Sequence, residues 1–299
     1  FCWAFLQNSS FVILFPPHRQ CFNVSGQAKK TTQTMDKVER LGKEYTDHKV
    51  FGQLTEFADF YDSLAHTTMG FMSQGTKAIL NLDTYVFSSV KGTLDSIREI
   101  LSNGRINDSY ALLRKYYDST IINVYTNLYL NDHFNLDNFI VEHIDNWRKG
   151  TETIPEYRVI SKYIKDSAKL KPITDLLLKD KLYKNVRDRC NDHTHYNYYY
   201  NLLLNDNEIY LPNRVKALDT FSADLTAVFV QHFAYLFYLN DHYMMSTDYV
   251  DYLDVGMTPE EGSQYWVSPF IQKTFDKWIK PYRPDIADEI KSKTSMKLE

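Results

Sequence analysis

Between Thr76 and Ser102 the apolar residues Ile79, Leu82, Val86, Val90, Leu94, Ile97 and Leu101 recur at steps of three and four. Such a stripe runs along one face of an α-helix; a strand alternates its faces every second residue and would split it. The spacing predicts a helix over about 76–102. Asn103-Gly104 ends it, because glycine readily takes the left-handed C-cap conformation. After Arg105-Ile106-Asn107-Asp108 a second run continues to about Leu130, so the two are expected to form an antiparallel helical hairpin through a tight Asn-Gly-Arg turn.

The same periodicity predicts helices near 52–69, 137–149 and 155–166. A long helix is expected at about 173–204, with Pro172 at its first turn and Asn205-Asp206-Asn207 at its end. Another runs from Pro212 to about 240, and a last one over 258–280 is opened by Thr258-Pro259-Glu260-Glu261 and closed by Pro281 and Pro284. With 10 Gly and 9 Pro in 299 residues, the chain lacks the frequent turns of a sandwich or barrel. The expected fold class is all-α: an antiparallel helical bundle with a long hairpin and a later, motif-bearing helix. Its apolar share of 43% suffices for a core.

Residues 35–285 read as one helical domain without repeats, and 286–299 as a polar, frayed tail. Residues 1–34 begin apolar with neither an initiator Met nor a basic start, and they break at Pro16-Pro17. Met35 opens a stretch that reads like an ordinary cytosolic start, so 1–34 are expected to be a non-native or disordered leader. The most apolar segment, 221–239, contains Asp224, Gln231 and His232, polar groups that are expensive in hydrocarbon. It reads as a buried helix, not a membrane span. Cys2, Cys21 and Cys190 have neither the spacing of a disulfide framework nor that of a zinc site. The expected location is therefore a reducing cytoplasm, with no cofactor. The net charge of −4 gives no global signature of nucleic-acid binding, so any RNA contact must be local or assembled across a dimer.

Chemistry concentrates in one segment, Arg187-Asp188-Arg189-Cys190-Asn191-Asp192-His193-Thr194-His195-Tyr196-Asn197. Metal-free RNA cleavage needs a proton acceptor for the ribose 2′-OH, a donor for the leaving 5′-oxygen and a cation for the phosphorane charge. His serves the first two because it titrates near neutral pH. Arg serves the third through its planar fork, and Asn191 or Asp192 can orient an imidazole. On an unbroken helix Arg187, Asn191, Thr194 and His195 share one side, while Arg189 and His193 lie roughly opposite, near the apolar stripe of Val186 and Cys190.

This segment resembles the signature of HEPN domains, in which an Arg is followed by four to six residues and then a His. Arg189 to His195 has five residues between, and so does Arg187 to His193. The family usually has a polar residue directly after the Arg; Arg187-Asp188 fits that and Arg189-Cys190 does not. His195 is favoured as the catalytic His, with Arg189 or Arg187 as its phosphate ligand, because His193 falls nearer the core. The resemblance extends to the architecture, a HEPN-like core over about 74–242. It implies a homodimer with a composite site, metal-independent endoribonuclease activity leaving 2′,3′-cyclic phosphate and 5′-hydroxyl ends, and a role in antiphage defence or a toxin–antitoxin pair, with an antitoxin or defence partner.

Other readings stand beside it. The motif could be a solvated face with i,i+4 ion pairs, and the chain a non-catalytic helical module that binds protein or RNA. A metal site at His193 and His195 is disfavoured, since residues two apart diverge on a helix. Arg114 and Asp118 read first as a surface pair and second as groups lining a cleft beside the motif helix. The run Tyr196, Tyr198, Tyr199 and Tyr200 reads as packing in a core or dimer interface, ahead of base stacking.

Overall fold

The computed structural model describes residues 40–137, 139–205 and 213–299. The expectation for 1–34 lies outside the described residues. Those described are helices joined by short connections, with two isolated bridges, Arg105 to Asn205 and Met245 to Val267. The fold is all-α.

A one-turn helix α1 (Lys43–Thr46) precedes α2 (Lys49–Met69), α3 (Leu82–Ser102) and α4 (Ile106–His133). Helix α3 begins six residues later than its stripe suggests. Asn81 is extended and its side chain accepts from the Asp83 N–H at 2.9 Å, which caps the helix there and leaves Ile79 93% exposed in the preceding loop. Its other end is a Schellman turn. Gly104, at φ 84°, donates to Leu101 O at 2.8 Å, and Arg105 N–H reaches Ile100 O at 3.3 Å. The hairpin α3–α4 follows as expected.

Short helices α5 (Glu142–Lys149), α6 (Tyr157–Asp166) and α7 (Lys171–Leu177) lead to α8 (Leu182–Thr194), which carries the motif, and then to α9 (Tyr199–Leu203). The single helix expected over 173–204 is thus three pieces. Asp180 Oδ1 accepts from Leu182 N–H at 2.8 Å and restarts the chain as α8. Helix α8 stops in a second Schellman turn: Asn197 N–H bonds Asp192 O at 3.0 Å and Tyr196 N–H points to His193 O at 3.4 Å. Tyr196 occupies the left-handed position, φ 50°, that glycine normally fills.

Helix α10 (Val215–Leu239) is buried almost all round, which is why its sequence is apolar without a clean stripe. It packs on α4, α2 and α8. No helix among the described residues is long and apolar enough to cross a membrane. Helix α11 (Asp248–Asp254) is followed by α12 (Pro269–Thr274), which widens into a π turn over Phe275–Ile279, and by α13 (Pro284–Lys293). The helix expected from 258 starts only at Pro269. Upstream, Gly262 is left-handed (φ 81°), and the chain is drawn into a bridge by Ser246 N–H to Trp266 O and Ser268 N–H to Met244 O, both 2.8 Å. The C-terminal residues are packed, not frayed: Met296 and Leu298 are buried, and Lys297 N–H bonds Tyr265 O at 2.8 Å.

Candidate active site on the motif helix

Helix α8 lies against α4 and α10, and its two long faces meet different surroundings. On the inner face Cys190 is fully buried, and burial pushes its thiol up to about 12, so it is no nucleophile. His193 is 6% exposed and stacks on Tyr110 of α4, with ring centroids 3.9 Å apart and planes at 10°. Its Nδ1 lies 2.8 Å from Asn107 Oδ1, an acceptor, so Nδ1 carries the proton and Nε2 is the basic nitrogen. Nε2 has no hydrogen-bond partner among the described residues. Burial, and secondarily the charge of Arg189, lowers the His193 pKa to about 4, so the ring is neutral at pH 7.

Arg189, one turn earlier on the same face, donates from Nε to Asp224 Oδ2 at 2.7 Å and from Nη2 to Oδ1 at 3.3 Å. Tyr110 OH also donates to Asp224 Oδ2, at 3.1 Å. The carboxyl of Asp224 is pushed up by burial and drawn back by these two donors. Five residues from three helices therefore interlock: Asn107 and Tyr110 on α4, Arg189 and His193 on α8, Asp224 on α10.

On the outer face Arg187 lies over the Tyr157 ring at 3.7 Å, and its Nε is enclosed without a hydrogen-bond partner among the described residues. Arg114 approaches the same ring at 5.8 Å, donates to Asp118 Oδ2 at 2.8 Å and bonds Asn191 Oδ1 on α8. The Arg114–Asp118 pair is thus present, and Arg114 also ties α4 to the motif helix. Arg187 also lines a groove of about 720 Å³ with Arg158, Lys162 and Lys165 of α6.

Asp192 serves the helix end: its backbone carbonyl takes the Asn197 N–H, and Asn201 Nδ2 at 3.0 Å, while its side chain accepts from Asn197 Nδ2 at 2.7 Å. His195, the favoured His of the sequence reading, is the C-cap of α8. It is exposed and without a side-chain hydrogen bond among the described residues. Tyr196, Tyr198, Tyr199 and Tyr200 are exposed as well. Within one chain, neither Arg-to-His register is brought together; the pair on a shared face is Arg189 and His193.

Asn107, Tyr110, Asp224 and Tyr157 were not singled out as site residues from sequence. One signal was available for Asp224: a carboxylate inside an apolar, fully buried helix demands a partner cation. Among the described residues no group of three or more His, Cys, Asp or Glu side chains is arranged to hold a metal ion. No family model matches this chain, and neither the curated proteins nor the solved structures contain a significant match to it.

Proposed function

We propose that the protein is a metal-independent endoribonuclease, HEPN-like in its helical architecture, with His193 as general base and Arg189 as the neighbouring phosphate ligand, a pair separated by three residues where the HEPN signature has four to six. The observation that supports this best is the neutral His193 ring, fixed by Asn107 and Tyr110 with Nε2 unpartnered, one turn from a guanidinium. Nε2 takes the proton of a ribose 2′-OH, and the 2′-oxygen attacks phosphorus. The protonated ring then returns that proton to the 5′-oxygen as the P–O5′ bond breaks, giving 2′,3′-cyclic phosphate and 5′-hydroxyl ends and a neutral His193. A pKa of about 4 makes the free ring a weak base. A phosphate beside it favours the imidazolium and raises that value on binding. Arg187, Arg158, Lys162 and Lys165 outnumber Glu156 and Asp166 in the groove on the outer face of α8, a local excess of cations for a strand that the net charge conceals. A homodimer, a cytoplasmic location and an antiphage or toxin–antitoxin role with a protein partner accompany this proposal by family analogy alone.

The test is cleavage of RNA in EDTA by wild type, His193→Ala and His195→Ala, with product ends analysed. Loss in His193→Ala with activity retained in His195→Ala supports the assignment. Equal activity in all three removes it. One observation favours a second reading, a non-catalytic RNA-binding module: two of Arg189's donor nitrogens already hold Asp224. Salt-sensitive RNA binding without cleavage would establish that module instead, and growth toxicity of the same variants reports on the biological role.

A further inference from the structure

A second cavity lies away from the motif helix, between the start of α3, the C-terminal half of α4 and the end of α10. It has a volume of about 240 Å³ and is lined by the polar residues Asn81, Asp83, Asn127, Asn240 and Tyr243. Leu82, Leu130 and Leu239 add an apolar part to the wall. That volume is below the range of drug-sized pockets, which limits an occupant to about ten heavy atoms.

Asp83 sets the chemistry. Three carboxylates are buried among the described residues, Asp83, Asp145 and Asp224. Asp145 is paired with Arg148 and Lys149, and Asp224 with Arg189. Asp83 is held by neutral donors alone: Asn123 Nδ2 at 2.7 Å and Asn127 Nδ2 at 3.0 Å on Oδ1, and Tyr243 OH at 2.9 Å on Oδ2. A carboxylate offers about four acceptor positions, so one remains, on a side chain that lines the cavity. Three of the surrounding amides are tied into the cradle. Asn127 Oδ1 accepts from Asn240 at 2.7 Å, and Asn81 Nδ2 donates to Tyr243 OH at 2.8 Å. The cradle thus sets one buried carboxyl, pushed up by that burial and held by neutral donors alone, beside a small, partly apolar space, where a cationic partner would draw the proton off it. A divalent metal needs more anionic oxygens than one carboxylate supplies. An anion is repelled.

We propose that this cavity binds a small aliphatic amine as its ammonium ion, with the charge on Asp83 and the short alkyl chain against Leu130 and Leu239. It does not depend on the ribonuclease proposal. The test titrates the full chain at pH 7 with n-butylamine, butan-1-ol and butyrate, using calorimetry and the side-chain amide NMR signals of Asn127 and Asn240. Saturable butylamine binding is expected, with shifts confined to those amides and their neighbours and no matching response to the other two probes. In Asp83→Asn the affinity for butylamine should fall about tenfold or more. Because Asp83 also ties α3 to α4, the wild-type probes decide the matter if that variant does not fold. Butan-1-ol binding as tightly as butylamine overturns the proposal. So do shifts located elsewhere, unchanged affinity in folded Asp83→Asn, or no butylamine binding up to 10 mM.

Discussion

Two histidines are buried among the described residues, and each is held by an asparagine of α4. His193 bonds Asn107, and His232 bonds Asn123 at 2.9 Å through Nε2. They differ at the other nitrogen. His232 Nδ1 accepts from Tyr61 OH at 2.7 Å, and Tyr61 in turn is bonded by Tyr116 at 2.9 Å. Asn123 continues the chain to Asp83. His232 is thus a saturated link in a core network that ties α2, α3, α4 and α10 together. His193 has one nitrogen committed and one in reserve, at the margin of the core. Burial alone does not separate these two histidines; the inventory of ring partners does.

The largest expected difference is in activity. His193→Ala should reduce RNA cleavage in EDTA by about 10²- to 10⁴-fold, the usual share of a general base. A His232 variant, corrected for its folded fraction, should cleave normally. Equal losses in both would erase the distinction between the two histidines.

Stability should run the other way. His232→Ala leaves Tyr61 OH with Tyr116 alone, strands Asn123 Oδ1 in the core and opens a void, costing about 3–5 kcal/mol in urea unfolding. Asn107→Ala strands one ring N–H at the margin and should cost about 1–3 kcal/mol. A reversed order would mean that the motif corner, not the His232 network, holds the bundle together.

Acid should act on both. Burial lowers His193 to about 4 and His232 to about 3, against an ordinary value of 6.5. Between those limits the unfolded chain binds protons that the folded chain refuses. Their contribution is therefore complete above about pH 6.5 and is lost as pH falls toward about 4 for His193 and about 3 for His232. His193→Gln removes one such proton, so the pH slope of unfolding free energy near pH 5 should flatten by about 1.4 kcal/mol per pH unit. An unchanged slope would show that His193 is already protonated in the folded protein.

The smallest effect sharpens the contrast between the two faces of α8. Arg187→Lys keeps the charge but loses the planar stack on Tyr157, and RNA affinity should weaken by about 0.5–2 kcal/mol, measured by titration at fixed salt. No change would place the strand away from this groove.

Much of the fold was legible because helices advertise themselves locally. The stripe Val90, Leu94, Ile97 and Leu101 is buried as its spacing demands, and Gly104 turns the hairpin. The ends of α8 were not legible. Asp180 restarts the helix through a side-chain bond, and Tyr196 takes a left-handed position without the glycine that usually marks one. The break leaves His195 at a helix end, where an unbroken wheel no longer applies. The inward placement of His193 was legible, as a consequence of its spacing from Val186 and Cys190.

The sequence by itself determined the all-α class, the hairpin, and the segment where histidine and arginine concentrate, since each depends on residues within a few turns of one another. Only the tertiary structure decided what each of those side chains can do. Asn107 and Tyr110 lie more than eighty residues before His193, and Asp224 lies thirty-five after Arg189. No local period encodes such pairings. They follow from how α4, α8 and α10 pack, and that packing fixes which ring nitrogen is spoken for and which guanidinium is neutralised.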